Sequence, residues 1–298
     1  MPEAMQEQQV TMSSKTASRS VLHTGGGVAP TREGWRRARL SLLVTVAVGL
    51  PLLFLILPLM ALTTEALPAL DDLSPRTRET LWQALRISLL TTAVSLLLIV
   101  GLGTPFAFIL ARRRLPAARL INALIDLPIV LPPSVAGIAL LMAFGRRGLI
   151  GGPLAELGIT VGFTTTAVVL AQCFVAAPLF IRAAKVGFGL VDREVEDAAA
   201  IDGATPATVF RTITLPLARS SLVAGIVLAW ARALGEFGAT IMFAGSFAGR
   251  TQTMPLAIYE RFGAGDLTAA LTLSAILLGT SLVVLLAIRF LGEPTTPR

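Results

Sequence analysis

The sequence contains very little of what proteins use for catalysis or for binding metal. Its 298 residues include one cysteine (Cys173) and one histidine (His23). A single cysteine excludes an internal disulfide or a cysteine-built zinc cluster, and a single histidine argues against a histidine-based metal site or catalytic triad. The chain also has no G-x-x-x-x-G-K-[ST] loop to cradle the phosphates of ATP. We therefore expect a protein that is not an enzyme and that itself binds no metal or cofactor.

Charged residues are also scarce. They make up 14% of the chain, hydrophobic residues make up 54%, and the mean hydropathy is +0.76. A soluble domain carries roughly a quarter charged residues, so this deficit indicates a chain that lies in lipid. The formal net charge is +7, and no basic–aromatic pattern accompanies it. This charge therefore indicates membrane topology and contact with anionic lipid, and not nucleic-acid binding.

Long apolar runs predict an all-α integral membrane protein with six transmembrane helices. The predicted spans are 40–64, 87–111, 121–145, 160–181, 220–245 and 267–288. A helix as long as the first run measures about 37 Å, which is enough to cross a hydrocarbon core of about 30 Å. Two runs are not purely apolar, since the third contains Asp126 and three prolines and the fifth contains Arg232 and Glu236.

The distribution of basic residues favours one orientation. With a cytoplasmic N-terminus, the inside segments contain 17 Lys and Arg residues and the outside segments contain 7. Because cytoplasmic loops carry the excess of positive charge, both termini are predicted to be cytoplasmic. Residues 1–39 are predicted to form a disordered, basic cytoplasmic extension, and residues 292–298 a short tail. Around Trp35, an interfacial helix and a simple flanking cluster of arginines fit equally well.

The predicted cytoplasmic loop at 182–219 is unlike a passive linker. Acidic residues at 192–197 and the alanines that follow favour a helix, which Gly203 can end by adopting a positive φ. Thr205 fits an N-cap and Pro206 fits the first turn of a second helix. An apolar face of the second helix is formed by Val209, Phe210 and Ile213. The residues thus predict a helix–glycine turn–helix element with an exposed apolar face that can enter a groove on another protein.

The same loop contains a family signature. Permeases of bacterial ATP-binding-cassette (ABC) importers carry the pattern EAA-x3-G-x9-I-x-L-P here, and this sequence matches it with Asp in place of the leading Glu. The matching residues are Asp197, Ala198, Ala199, Gly203, Ile213, Leu215 and Pro216, and Glu196 precedes them. The chain therefore resembles these permeases. The resemblance implies the type I importer fold and a helix that docks onto a separate ATPase, which would hold the ATP and Mg²⁺.

The predicted fifth span contains an ionisable pair. Arg232 and Glu236 are four residues apart, so they lie on one face of a helix and can pair. Gly235 and Gly238 flank the glutamate and allow a bend or a close approach of another helix. Two interpretations stay open: a polar lining of a translocation path, or a structural ion pair that pins this span to its neighbours.

Other stretches resemble permeases of molybdate importers in particular. This resemblance covers about residues 75–290. These stretches are LPIVLPPSVA (127–136), GRRG (145–148), ARALGEFGATIMFAG (231–245) and TQTMPLAIY (251–259). Sulfate and thiosulfate permeases share the ARA-x-GE core, and tungstate has nearly the size and charge of molybdate, so these cargoes remain alternatives. A secondary transporter or channel is disfavoured, because Asp126 and Glu236 are the only acids within the spans and no repeat relates the two halves.

The resemblance also implies an assembly in the bacterial plasma membrane. It consists of a homodimer with the path on its two-fold axis, two ATPase subunits at the cytoplasmic face, and an outer solute-binding protein that selects the oxyanion. From their charge and predicted outer position, three residues are candidates for attracting an anion to the outer mouth. They are Arg146, Arg147 and Arg250.

Overall fold

The computed structural model describes residues 32–69, 74–113 and 116–292, and every regular element in them is helical. In chain order the elements are α1 (Arg32–Ala69), α2 (Pro75–Arg112), α3 (Ala118–Val130), α4 (Pro133–Phe144), α5 (Gly151–Glu156), α6 (Thr165–Leu190), α7 (Arg193–Ile201), α8 (Pro206–Val209), a π-helical turn (Phe210–Thr214), α9 (Leu215–Leu217), α10 (Arg219–Leu234), α11 (Gly238–Ala244), α12 (Met254–Gly263) and α13 (Leu267–Gly292). The all-α prediction is confirmed for this part of the chain. Residues 1–31 and 293–298, predicted to be tails, lie outside the described residues.

The described residues fall into two units, residues 32–57 and those from residue 58 onward, each with its own internal contacts. In the described part of the first unit, residues 32–57, the chain is helical, and every side chain from Leu43 to Leu57 is exposed. Such an apolar exposed surface is suited to contact with lipid. Residues 32–39 begin α1, so disorder is corrected to helix there, in agreement with the helical alternative for the cluster around Trp35. Arginine and alanine favour a helix, and the apolar run that follows continues it.

Four helices are long and apolar enough to cross a membrane on their own. They are residues 43–68 of α1, α2, α6, and residues 267–288 of α13. Two bent helix pairs are also long and apolar enough to cross a membrane when each pair is taken as one segment. They are α3 with α4, bent by 115°, and residues 206–217 with α10, bent by 70°. Counting each bent pair as one span gives up to six spans in the described part of the chain.

The core of the second unit forms where α2 and α10 pack along α6. Small residues allow a close approach, since a Cβ added to Gly187 of α6 would lie 2.5 Å from the Cβ of Ser221 in α10. Buried polar groups connect α6 to α2. Ser95 Oγ donates to Gln172 Oε1 at 2.9 Å, and Gln172 Nε2 donates to Thr92 Oγ1 at 3.3 Å. Small-residue contacts and interhelical hydrogen bonds of this kind hold membrane helices together, because lipid supplies no hydrophobic driving force between them.

The third and fifth predicted spans are each broken into two helices. α3 and α4 meet at 115° beside Pro132, because the residue before a proline avoids the helical region and Pro133 is suited to start a new helix. Residues 235–237 separate α10 from α11. α4 and α11 then pack closely, and a Cβ on Gly238 would lie 2.5 Å from the Cβ of Pro133. These two predicted spans are therefore not continuous helices.

The helix of the fourth predicted span extends beyond its charge-free run. Residues 182–190, predicted to begin the loop, belong to α6. The charged side chains in this extension have partners on α3: Arg182 Nε lies 2.5 Å from Asp126 Oδ1, and Lys185 Nζ donates to Asn122 Oδ1 at 2.8 Å. Because these partners accommodate the charges, the helix does not end where the charges begin. The first part of the predicted connection, residues 182–190, is therefore helical, and the segment between α6 and α10 begins at residue 191.

Candidate functional site

The segment between α6 and α10, residues 191–218, carries the family pattern and is named the signature segment. Asp192 caps α7 by accepting a backbone N–H at 3.0 Å. Gly203 has a φ of +89°, which is the predicted positive value, and Thr205 caps α8 by accepting a backbone N–H at 3.3 Å. The predicted helix–glycine turn–helix is therefore confirmed. The second helix widens in the π-helical turn before α9 leads into α10.

The apolar face of the second helix points into the protein's own core. Val209 is buried, and the ring of Phe210 lies edge-on to Phe108 of α2 with 5.0 Å between ring centroids. The ring of Phe188 in α6 is 6.0 Å away, and the partly buried Leu215 packs against the same cluster. Aromatic pairs at such distances contribute about 0.5–1.5 kcal/mol beyond their burial. The prediction of an exposed apolar face is therefore wrong for this helix, since α2 and α6 cover it.

The exposed surface of the signature segment includes α7 and the glycine turn. Its exposed residues include Val195, Asp197, Ala198, Ile201, Gly203 and Pro216, whereas Ala199 and Ile213 are partly buried. Ile201 is 86% exposed, although isoleucine is among the residue types most often buried. Sequence reasoning missed Ile201 because it occupies one of the variable positions between the alanines and the glycine of the pattern.

An ion pair connects the signature segment to the end of α2. Arg112 Nη2 lies 2.7 Å from Glu196 Oε1, and the two side chains are only 12% and 16% exposed. The hydroxyl of Thr214 donates to the same carboxylate oxygen at 2.5 Å, and Arg112 Nη1 donates to the carbonyl of Val191 at 3.2 Å. We name this set the Arg112–Glu196 bridge. It holds α7, the π-helical turn and the last residue of α2 together.

The ionisable pair of the fifth span lies at the break between α10 and α11. Arg232 Nη1 is 2.5 Å from Glu236 Oε2, while Glu236 Oε1 accepts the backbone N–H of Ala239 at 2.7 Å. The Glu236 side chain is 1% exposed and that of Arg232 is 34% exposed. Gly235 ends α10 and Gly238 begins α11. Both carboxylate oxygens are thus engaged, one by a cation and one by the start of α11, as expected of a group that stabilises the break.

The three arginines predicted at the outer mouth are not brought together as one set. Arg146 and Arg147 lie in a tight turn after α4, where the N–H of Gly148 donates to the carbonyl of Gly145 at 2.7 Å. Arg250 lies in the loop between α11 and α12, where it lines a cavity of about 300 Å³. Neither Arg146 nor Arg147 lines this cavity.

Comparison with known proteins identifies the family. Residues 103–292 match the family described as the binding-protein-dependent transport system inner membrane component. The molybdenum transport system permease protein ModB of Mycobacterium tuberculosis is 48% identical over 205 residues, covering 69% of this chain and 77% of that protein. The ModB protein of Haemophilus influenzae is 44% identical over 214 residues, covering 70% of this chain and 93% of that protein. The chain belongs to this family of inner membrane transport components.

Solved structures agree on the fold. A chain of a bacterial ABC transporter that imports the acidic polysaccharide alginate aligns with a TM-score of 0.67 at 15% identity, covering 88% of this chain and 99% of that chain. A chain of the MetNI methionine ABC transporter aligns with a TM-score of 0.53 at 18% identity, covering 74% and 96%. The predicted importer-permease resemblance is thereby confirmed at the level of fold and family.

Proposed function

We propose that this chain is the membrane-spanning permease subunit of an ATP-driven molybdate importer. The observation that carries the proposal is the signature segment, which presents α7 and a glycine turn on its surface and is joined to α2 by the Arg112–Glu196 bridge. Such an element can receive motion from a partner and pass it to a transmembrane helix. Molybdate as the cargo is supported by the molybdenum permeases that are 44% and 48% identical to this chain.

The proposed assembly is a homodimer in the plasma membrane with both termini in the cytoplasm. Two ATPase subunits, which bind the ATP and Mg²⁺, dock against the exposed face of the signature segment, and a solute-binding protein docks on the opposite side. The excess of basic residues, 17 against 7, supports this orientation. In the docked state Ile201 enters an apolar groove of the ATPase and Asp197 faces a basic residue there.

The proposed mechanism is alternating access driven by rigid-body motion. ATP binding brings the ATPase subunits together and carries α7 with them. Because the Arg112–Glu196 bridge joins α7 to α2, and the ring of Phe210 packs against Phe108 and Phe188, the ends of α2 and α6 follow. Hydrolysis and product release return the helices to their starting positions, and no covalent step occurs in this chain.

Uptake competition tests the cargo. In cells lacking this gene and complemented with it, uptake of labelled molybdate should be restored. Excess unlabelled molybdate or tungstate should abolish that uptake, whereas the same excess of sulfate should leave most of it, because sulfate is the smaller dianion. Restored sulfate uptake that molybdate does not inhibit would show instead that the permease serves a sulfate or thiosulfate importer.

A substitution at Gly203 tests the docking turn. Gly203→Val should leave the protein in the membrane but reduce transport at least several-fold, because the left-handed region costs an L-residue about 1–2 kcal/mol and a β-branched residue more. No atom lies within 4 Å of a Cβ added there, so the effect comes from the backbone and not from a clash. Gly203→Asn is the matched control, since asparagine adopts this conformation readily. Equal transport by both variants would contradict the assigned role of the turn.

A further inference from the structure

A cavity with several polar residues in its lining lies between the first half of α2, the start of α6 and the loop between α11 and α12. We name it the outer recess; it has a volume of about 300 Å³, at the lower end of the range for small-molecule sites. Arg86 and Arg250 line it together with Gln83, Thr91 and Thr165. Two cationic residues that are distant in sequence, both of them exposed, therefore line one small cavity.

The outer recess lies at the opposite end of α2 from the Arg112–Glu196 bridge. Arg86 and Arg112 are 26 residues apart within α2, which corresponds to about 39 Å along a straight helix. That distance exceeds the hydrocarbon thickness of about 30 Å. The two arginines thus belong to opposite membrane faces, and Arg86 lies on the face away from the signature segment.

The loop that carries Arg250 is held firmly against its neighbours. The hydroxyl of Thr165 donates to the carbonyl of Arg250 at 2.9 Å, and the N–H of Arg250 donates to the carbonyl of Phe247 at 3.0 Å. At the end of the loop, the N–H of Met254 donates to the buried Ser88 Oγ of α2 at 2.7 Å. These bonds tie the loop to both α2 and α6, so the backbone of Arg250 is fixed in the lining of the cavity that Arg86 also lines.

Neither arginine of the outer recess has an acidic partner among the residues that the structure describes. The carboxylate of Glu79, one turn before Gln83 in α2, accepts a hydrogen bond from the Gln83 amide at 3.0 Å. The hydroxyls of Thr91 and Thr165 donate to backbone carbonyls. The two guanidinium groups are therefore the charged donors of the recess, and two like charges that share a cavity without an acidic partner favour an anion between them.

We propose that Arg86 and Arg250 form an outer binding site for a tetrahedral dianion on its way into the permease. This inference rests on the proposed function, because it names where the permease itself first holds the cargo of that importer. Two arginines match both the charge and the geometry of such a ligand, since a guanidinium donates two parallel hydrogen bonds to adjacent oxygens. Arg146 and Arg147 are not part of this site.

Concentration dependence of uptake tests the site in cells that contain the complete importer. Arg86→Gln and Arg250→Gln should each raise the apparent KM for molybdate about ten-fold or more, with the maximal rate within about two-fold, because each variant loses charge-assisted hydrogen bonds to the ligand. Arg86→Lys and Arg250→Lys should have intermediate values, since lysine keeps the charge without the fork of donors. Arg78→Gln is the matched control, because Arg78 is exposed on the same end of α2 but does not line the recess.

A second measurement detects the site without turnover. The purified complex of permease and ATPase subunits should be stabilised against heating by molybdate relative to chloride at equal ionic strength, and the two glutamine variants should lose this stabilisation. Variants of Arg86 and Arg250 that bind and transport like the wild-type protein would overturn the site while leaving the importer proposal intact. An equal shift in Arg78→Gln would overturn it as well, in favour of a general electrostatic effect. If the wild-type protein carries sulfate and not molybdate, the cargo proposal fails, and the same comparison made with sulfate still decides the site.

Discussion

Replacing Arg112 by alanine is expected to reduce molybdate transport at least about ten-fold while the permease stays in the membrane and keeps its ATPase. The Arg112–Glu196 bridge connects α2 to the signature segment through largely buried side chains, whereas the other contact there, from Arg193 Nη2 to the carbonyl of Arg112 at 2.9 Å, is made by an exposed side chain. Removing one member of a buried ion pair costs about 3–5 kcal/mol, because the other charge is left without compensation. A tenfold change in transport corresponds to about 1.4 kcal/mol. The cost of about 3–5 kcal/mol for the unpaired charge is therefore large enough to disrupt the contact between α7 and α2.

ATPase binding should survive the Arg112 substitution because the bridge and the docking surface are separate. Ile201 and Asp197 are exposed, whereas Arg112 and Glu196 are turned toward the protein interior. The measurement is therefore threefold: the amount of permease in the membrane, the amount of ATPase that co-purifies, and uptake. ATP hydrolysis that continues without uptake is the expected signature of a broken connection.

Two further variants separate coupling from stability. Arg113→Ala is the matched control, because Arg113 is the next residue, has the same charge and is exposed. Arg112→Met combined with Glu196→Leu should restore stability, since a buried ion pair can often be replaced by apolar residues without loss. The double variant should still transport poorly, because the hydrogen bonds to Val191 and Thr214 are also lost. Normal transport by Arg112→Ala, or full rescue by the double variant, would contradict the coupling role of the bridge.

Local features of the signature segment could be predicted from the sequence because they depend on neighbouring residues. The cap at Asp192, the positive φ at Gly203 and the cap at Thr205 each follow from a side chain or backbone property within a few positions. The orientation of Phe210 could not be predicted in this way. It depends on Phe108 and Phe188, which reach this helix only through the packing of α2 and α6.

Long-range partners explain the other differences between prediction and structure. Glu196 and Arg112 are 84 residues apart, and no local pattern pairs them. Likewise, α6 continues past Arg182 because Asp126 of α3 lies beside it, so the end of the charge-free run was a poor guide to the end of the helix. The outer recess shows the same limit. The charge and predicted outer position of Arg250 made it a candidate from the sequence. Arg86 is identified only by the cavity that both residues line.

Replacing Glu236 by alanine is expected to lower the stability of the folded permease by about 3 kcal/mol or more. The substitution removes the partner of Arg232 and leaves the buried N–H of Ala239 without its acceptor. Glu236→Gln should be milder, because the amide oxygen can still accept that N–H while the partly exposed Arg232 reaches water. The measurement is the thermal stability of the detergent-purified complex, with uptake measured at matched amounts of folded protein.

These variants also decide between the two interpretations of the fifth-span pair. If the pair serves packing, Arg232→Ala and Glu236→Ala should both lose folded protein, because each leaves the other charge unpaired. Glu236→Gln should then recover much of the stability and transport within about two- to three-fold of wild type. If instead Glu236→Ala folds normally and transports poorly, the pair acts in the translocation path. The 1% exposure of Glu236, together with its bond to the first turn of α11, favours the first outcome. A carboxylate with both oxygens engaged in the protein has little left to offer a passing ligand, and an anion would in any case be repelled by it.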